Sequence, residues 1–458
     1  MANFLGISKI FTGPFERLQE ASSPAAFHNA ADRHDSPKCH PNTRVAVLQK
    51  IIDWILGRDP LTRNALIAWL HGPAGSGKSA IAQSIAEWCY EQGILVASFF
   101  FSRFDSTRNH ARSLIATIAY QASLCFPEIK GRFTAVIEHD PLIFSRSLDT
   151  QILALVIQPL RHLQDRGHFN DSTSPRVIII DGLDECEDRE GQLKILSTIS
   201  NAIQHHCLPL IFLIAGRPEH DITTAFGMGH LCKISMRIPL DRDYHSYDDI
   251  ELFLRDNFRE IRENHPFRSQ IPLTWPSDDI LQAMVRKSSG QFIYASTLIK
   301  FVKSSRHRPT DRLDIALGIH PPLRDMPFAE LDALYIHIFS SLDDPEPVLQ
   351  VLASHIIDRQ RPDAYGLSQM VDVMEDLLSL SRGDIRILLC DLTSLLWFDQ
   401  GRWYKRPQTR IRFYHASLED FLLDQSRSQQ FYINAPLRHA EFAHRYIQCL
   451  KGELMVSY

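Results

Sequence analysis

Short apolar runs alternate with helical patterns through the first half of the chain. The runs of strand length are Ala65–Leu70, Ile94–Phe101, Arg176–Asp181 and Pro209–Ala215, with Lys233–Leu240 as an edge strand. Continuous apolar runs of this kind indicate strands that are buried on both faces. Between the runs, apolar residues recur at helical spacing, for example at Ile81, Ile85 and Trp88. Strands that alternate with helices predict a mainly parallel sheet flanked by helices.

From Tyr244 onward the apolar periodicity is almost entirely helical. The helical patterns are Ile250–Ile261, Ile280–Arg286, Phe292–Val302, Leu331–Leu342, Pro347–Ile357, Leu367–Leu378, Ile385–Leu396 and Ala440–Leu450. One passage of β type interrupts them, where Leu396–Phe398 and Ile411–Tyr414 flank a polar turn that contains glycine. This passage predicts a hairpin attached to a small helical domain.

Length, composition and charge narrow the class of protein. A chain of 458 residues is longer than one core normally holds, so we expect several domains. The net charge of −5 does not favour nucleic-acid binding, and no apolar run approaches the ~20 residues that span a bilayer. The eight cysteines are scattered without a C-x-x-C pair, which is typical of reduced thiols in a cytoplasmic protein.

One glycine-rich stretch carries a specific chemistry. The sequence GPAGSGKS matches the pattern G-x-x-x-x-G-K-[ST], and it lies between an apolar run and a helical pattern, as a phosphate-binding loop requires. Backbone N–H groups of such a loop and the following helix N-terminus bind phosphate, the lysine reaches the β- and γ-phosphates, and the hydroxyl binds Mg²⁺. A chance match in a surface loop is the alternative. The predicted nucleotide-binding residues are Gly72, Pro73, Ala74, Gly75, Ser76, Gly77, Lys78, Ser79 and Ala80.

Acidic residues follow the strand run that ends at Asp181. This aspartate resembles the Walker B residue and is predicted to hold Mg²⁺ opposite Ser79. Asp184 and Glu185 lie one turn further, where a carboxylate can orient or deprotonate the attacking water. The alternative is a solvated acidic turn at a strand end.

An arginine follows the next strand run. Arg217 in the sequence AGRP is predicted to contact the γ-phosphate, so we count it, with Lys78, Asp184 and Glu185, among the catalytic candidates. The alternative is a surface arginine paired with Glu219 or Asp221. Arg103, which also follows a strand run, is a weaker candidate.

Eight segments in this order resemble NACHT-domain NTPases of the STAND class, in particular those of basidiomycete fungi. The segments cover nearly the whole chain from Phe27 onward and are FHNAADRHDSPKCHPNTRVAVLQKIIDWI, HGPAGSGKSAIAQSIAEWC, ASFFFSR, RVIIIDGLDEC, FLIAGRPEHDI, DDIELFLRDNFREI, SSGQFIYASTLIKFV and FYHASLEDFLLDQSRS. The resemblance implies a nucleotide switch in which a helical domain and a winged-helix domain close over the nucleotide. ADP holds the closed form, and exchange for ATP permits self-association.

The resemblance also implies two further nucleotide contacts. Gly290 falls near the adenine, although related families carry a proline in this motif and this chain does not. His415 matches the winged-helix histidine that touches the β-phosphate of ADP. Full-length members also carry effector and sensor domains, which we do not recognise here, so we expect either a minimal switch or a truncated product.

Together these observations predict an α/β P-loop NTPase domain followed by a helical domain and a winged-helix domain. The expected parts are a partly disordered leader (1–40), the NACHT nucleotide-binding domain (41–240), a small helical domain (241–320), the winged-helix domain (321–428) and a helical tail (429–458). We expect a cytoplasmic, NLR-like switch that binds ATP or ADP with Mg²⁺, hydrolyses ATP slowly and acts in fungal non-self recognition or defence. Its expected partners are nucleotide, a second copy in the ATP state and unknown proteins, but neither a membrane nor nucleic acid. The alternatives are a degenerate nucleotide-binding scaffold without turnover and a motor-type ATPase on nucleic acid.

Overall fold

The computed structural model of the protein describes most of the chain. The described residues are 13–33, 36–103, 105–169, 176–206, 210–240, 246–317, 328–359, 370–393, 395–403, 406–413, 415 and 417–456. Three parts are distinguished below and keep these names: the sheet domain (13–240), the helical segment (246–317) and the C-terminal lobe (328–456).

Five parallel strands form the sheet of the sheet domain. They are β1 (Ile67–His71), β2 (Leu95–Phe100), β3 (Val177–Asp181), β4 (Ile211–Gly216) and β5 (Ser235–Pro239), in the spatial order β2-β3-β4-β1-β5. All neighbouring pairs are parallel. The predicted parallel sheet is therefore confirmed, and β5 lies at an edge as its pattern indicated.

Helices cover both faces of this sheet. They are α1 (Pro14–Ala21), α2 (Val45–Ile55), α3 (Lys78–Glu91), α4 (Leu114–Cys125), α5 (Lys130–His139), α6 (Leu148–Ile152), α7 (Gln158–Asp165), α8 (Arg189–His206), α9 (His220–Gly227) and α10 (Gly229–Ile234). Successive residues of a strand point to opposite faces, so Ile178 and Ile180 enter one core while Val177 and Ile179 enter the other. Because both faces are covered, the central strands β1, β3 and β4 are mostly apolar, whereas the edge strand β5 carries an exposed Arg237.

The first described residues differ from the expected leader. Residues 13–33 pack on the sheet domain, where Leu18 and Ala26 are fully buried in the same core as α4. The backbone N–H of His28 donates to the Ser98 hydroxyl on β2 at 2.9 Å. This part of the predicted leader therefore contributes to the core, and residues 1–12 of the leader lie outside the described residues.

The helical segment has its own apolar core. It contains α11 (Ser246–Asn264), α12 (Asp278–Lys287), α13 (Phe292–Val302) and α14 (Pro309–Ala316). The predicted boundaries near residues 241 and 321 fall within 241–245 and 318–327, outside the described residues. The division into domains therefore stays a prediction.

The C-terminal lobe combines helices with an antiparallel hairpin. Its elements are α15 (Ala329–Ser340), α16 (Pro345–Arg359), α17 (Val371–Leu378), α18 (Asp384–Leu388), β6 (Leu396–Trp403), β7 (Arg406–Phe413), α19 (Ser417–Leu422), α20 (Gln425–Ser428) and α21 (Ala435–Val456). The hairpin lies where the sequence predicts it, and α21 packs against α16 and α17 with Phe442 buried. The winged-helix assignment stays a prediction. Within the described part of the chain, no helix is both long and apolar enough to cross a bilayer.

Candidate functional site

The glycine-rich stretch connects β1 to α3. Gly75 and Gly77 have positive φ angles of 74° and 92°, which glycine adopts without strain, and α3 begins at Lys78. The Lys78 ammonium group donates to the backbone oxygens of Gly72 and Pro73, both at 2.9 Å. Burial lowers its pKa to about 8, so a polyanion that takes over these contacts would favour the charged form.

Asp181 lies at the end of β3 beside the first turn of α3. Its carboxylate forms a hydrogen bond with the Ser79 hydroxyl and is 4% exposed. Burial raises its pKa to about 6. The two adjacent hard oxygens suit Mg²⁺, which takes one or two protein ligands and completes its shell with water and phosphate. The described residues contain no cluster of three or more histidine, cysteine or acidic side chains that could hold a metal ion.

Asp184 and Arg217 form a buried pair. The Arg217 backbone N–H donates to Asp184 Oδ1 at 2.9 Å, and its Nε lies 3.1 Å from Oδ2. Asp184 is 2% exposed. The surface pairing with Glu219 or Asp221 that sequence left open is therefore not the arrangement seen. Both carboxylate oxygens of Asp184 are therefore engaged by Arg217.

Glu185 lies next to this pair and faces the cavity. Its Oε2 accepts a hydrogen bond from the Arg103 backbone N–H at 3.3 Å. Burial and the neighbouring Asp184 raise its pKa to about 7. A carboxyl group that titrates near neutral pH has the properties of a general base.

The predicted residues meet at a cavity of about 360 Å³. Those that line it are Ala74, Gly75, Gly77, Lys78, Ser79, Ala80, Asp181, Asp184, Glu185 and Arg217. Gly72, Pro73 and Ser76 belong to the same loop but do not line the cavity. Gly290 and His415, which the resemblance brought in, do not line it either.

Sequence reasoning missed an arginine that precedes α2. Arg44 lines the cavity, is 5% exposed and has a positive φ of 57°. Its Nη2 donates to the Ser76 backbone oxygen at 2.9 Å, and its backbone N–H donates to Asp249 Oδ2 at 2.9 Å. Its Nε and Nη1 are buried with no hydrogen-bond partner among the described residues. No motif marks this residue in the sequence.

Apolar side chains of the helical segment form the roof of the cavity, and these too were missed. The roof consists of the apolar residues Phe253, Phe292 and Ile293 and the polar Ser296, with Leu334 contributed by the C-terminal lobe. The Ile293 backbone N–H donates to the Gly75 oxygen at 3.3 Å. A Cβ on Gly75 would lie 2.3 Å from Ile293 Cγ2, so only glycine permits this approach. In the sequence these side chains have the spacing of ordinary helix core positions, so nothing distinguished them as parts of a site.

The two residues suggested by the resemblance lie outside the lining of this cavity. Gly290 has a φ of 79°, and a Cβ there would lie 2.7 Å from Ser246 Oγ, so it allows α13 to start close to α11. His415 is buried, and its Nδ1 accepts from the Ser417 backbone N–H at 3.0 Å. Its Nε2 has no partner among the described residues, and the ring borders a small cavity shared with Ala74 and Gln291. The predicted nucleotide contacts of both residues stay predictions.

A parallel sheet whose first strand runs into GPAGSGKS and whose third strand ends in Asp181 defines a P-loop NTPase. Residues 49–217 match the family model described as Nephrocystin 3, N-terminal. The match begins within α2, includes the phosphate-binding loop, Asp181 and Arg217, and covers less than half of the chain. No curated protein matches this chain.

Several solved structures are similar at low identity. Cdc6p from Pyrobaculum aerophilum is 15% identical, with 86% of this chain and 95% of that chain covered and a TM-score of 0.37. The RuvB Holliday junction branch migration motor of Thermotoga maritima is 13% identical, with 80% and 92% covered and a TM-score of 0.33. Drosophila ORC bound to DNA is 12% identical, with 92% and 93% covered and a TM-score of 0.34. Likenesses of this size carry no argument about function.

Proposed function

We propose that the protein is a nucleotide switch that binds ATP or ADP with Mg²⁺ and hydrolyses ATP slowly. The observation that carries the proposal is the enclosure of one cavity by three separate parts of the chain. The loop and acidic residues come from the sheet domain, the apolar roof comes from the helical segment, and Leu334 comes from the C-terminal lobe. A nucleotide held there touches all three parts, so its identity can alter how they pack.

The residues around the cavity divide into a polar side and an apolar side. Loop N–H groups and Lys78 would bind the phosphates, while Phe253 and Phe292 provide an apolar surface for the base. Ser79 and Asp181 would hold Mg²⁺, which neutralises charge on the phosphates when bound. Glu185 would orient the attacking water, and Arg217, aligned by Asp184, would interact with the terminal phosphate.

The biological role rests on the resemblance to fungal NACHT-domain STAND NTPases. In that scheme the ADP form is closed, the ATP form self-associates, and the switch signals in non-self recognition or defence in the cytoplasm. The hydrogen bond from Ile293 to Gly75 joins the roof directly to the phosphate-binding loop, which is a contact that such a switch needs.

The proposal is tested by identifying the nucleotide that co-purifies with the protein and by titrating ADP and ATP in calorimetry. Lys78→Ala should abolish binding because Lys78 is the cationic side chain within the phosphate-binding loop. Lys287→Ala, which removes an exposed lysine at the end of α12, is the matched control and should bind as the wild type does. A wild-type protein that carries no nucleotide and binds neither ligand would refute the proposal.

The mass of the protein in solution tests the switch separately from binding. We expect a monomer with ADP and a larger species with a non-hydrolysable ATP analogue. Equal masses with both ligands, in a protein that binds both, would contradict the proposed change in association and leave nucleotide binding standing.

A further inference from the structure

The C-terminal lobe contacts the sheet domain at the strand ends that carry the acidic and arginine side chains. His337 Nε2 on α15 lies 2.6 Å from Arg103 Nη1, just after β2. The Thr393 hydroxyl donates to the Pro218 oxygen at 2.9 Å, one residue after Arg217. These contacts place the lobe against the wall of the cavity nearest Glu185.

Arg103 contacts the turn that contains the two acidic residues through both its backbone and its side chain. Its backbone N–H donates to Glu185 Oε2, and its Nη2 donates to the Asp184 backbone oxygen. The planar guanidinium has its donors in a fixed fork, so a contact at Nη1 also fixes the direction of Nη2. His337 supplies that contact from the other part of the chain.

The chemistry of the Arg103–His337 pair is a cation that donates to a neutral imidazole. Burial and the charge of Arg103 lower the pKa of His337 to about 4, so its Nε2 lone pair is available at neutral pH. A neutral imidazole can accept a hydrogen bond from the guanidinium and fix its direction without forming an ion pair.

We propose that Arg103 and His337 are positioning residues for Glu185, and that the hydrolytic site is complete only when the C-terminal lobe is docked. Neither residue faces the cavity, so each acts through the Asp184–Glu185 turn and not on the nucleotide. The inference rests on the proposed function, because it assigns a role in the hydrolysis that the function assumes. It predicts that changes at His337 alter turnover but not nucleotide affinity.

The test measures kcat and KM for ATP in four full-length proteins. His337→Ala should lower kcat about tenfold, the effect of one hydrogen bond to a charged group, and should change KM less than about twofold. His337→Gln keeps an acceptor and should recover most of the rate. Ser340→Ala, an exposed position one turn further along α15, is the matched control and should behave as the wild type.

A double-mutant cycle distinguishes positioning from general damage. Arg103→Ala should lower kcat at least as much as His337→Ala, and the combined variant should be no slower than Arg103→Ala alone, because both changes break one arrangement. Additive losses, a rise in KM with unchanged kcat, or full activity of His337→Ala would overturn the inference. Absent turnover in the wild type would refute slow hydrolysis and the inference together, whereas wild-type turnover that His337→Ala retains refutes the inference alone.

Discussion

Replacing Asp181 by asparagine should stabilise the protein without nucleotide and at the same time remove its response to Mg²⁺ and nucleotide. Burial raises the pKa of Asp181 from 3.8 to about 6, so the folded chain holds this proton more tightly than the unfolded chain. The resulting stabilisation is fully present below about pH 4 and is lost as the pH rises through about 6. At about 1.4 kcal/mol per pH unit, the difference amounts to about 3 kcal/mol.

Asparagine resembles the protonated carboxyl group and keeps an acceptor for the Ser79 hydroxyl. Asp181→Asn should therefore be more stable than the wild type by about 1–3 kcal/mol at pH 7.5, and the difference should shrink toward zero near pH 4. The lower end of this range applies if Lys78 loses attraction to Asp181, although Asp184 contributes more to the charge balance of that lysine.

The assay is urea unfolding at several pH values between 4.5 and 7.5, with and without Mg²⁺ and ADP. Ligand at about a hundred times its Kd should stabilise the wild type by about 2.7 kcal/mol, and Asp181→Asn should gain much less. Glu91→Gln, which removes an exposed carboxylate at the far end of α3, is the control and should show neither effect. Parallel pH curves for wild type and Asp181→Asn would refute the reasoning that burial penalises this carboxylate.

Three further changes test the remaining parts of the site. Glu185→Gln should slow single-turnover hydrolysis by about 10²- to 10⁴-fold with little change in ADP affinity, and an unchanged rate would favour a scaffold without turnover. Gly75→Ala should speed release of a fluorescent ADP analogue because its Cβ would clash with Ile293, whereas Gly93→Ala has a similar positive φ with open space and isolates the backbone strain. Arg44→Ala should weaken ADP binding about tenfold in calorimetry, since Arg44 lines the cavity and its Nη2 donates to the Ser76 backbone oxygen of the phosphate-binding loop, and unchanged affinity would show that this contact does not support binding.

The parts of the site that the sequence predicted are those that depend on residue types within one short segment. The loop from Gly72 to Ser79 is recognisable because its function depends on residue types at fixed spacing within one segment. Asp181 is recognisable because an acidic residue follows an apolar strand. The strands themselves were found because burial on both faces requires continuous apolar runs.

The residues of the site that the sequence did not identify are those whose positions depend on tertiary contacts. Asp184 and Glu185 are adjacent acids that the sequence does not distinguish, and only the structure shows that Asp184 pairs with Arg217 while Glu185 accepts a hydrogen bond from the Arg103 backbone N–H. Arg44 depends on a left-handed backbone that no glycine signals. In the sequence, Phe292 has the spacing of an ordinary helix core position, whereas in the structure it lines the cavity. The apolar side of the cavity was therefore not predicted.

Among the described residues, three polar contacts connect the roof, Arg44 and the phosphate-binding loop. One hydrogen bond of 3.3 Å joins Ile293 to Gly75, and Arg44 adds one hydrogen bond to Ser76 and a cation–π contact 4.9 Å above Phe292. At about 1 kcal/mol for each hydrogen bond and about 0.5–1 kcal/mol for the cation–π contact, their sum is a few kcal/mol. Allosteric coupling energies are typically about 1–3 kcal/mol, and a nearly complete reversal of a two-state population requires about 5.5 kcal/mol. In the switch proposed above, a nucleotide that changes the packing of the roof by a few kcal/mol is therefore sufficient to make or break these contacts.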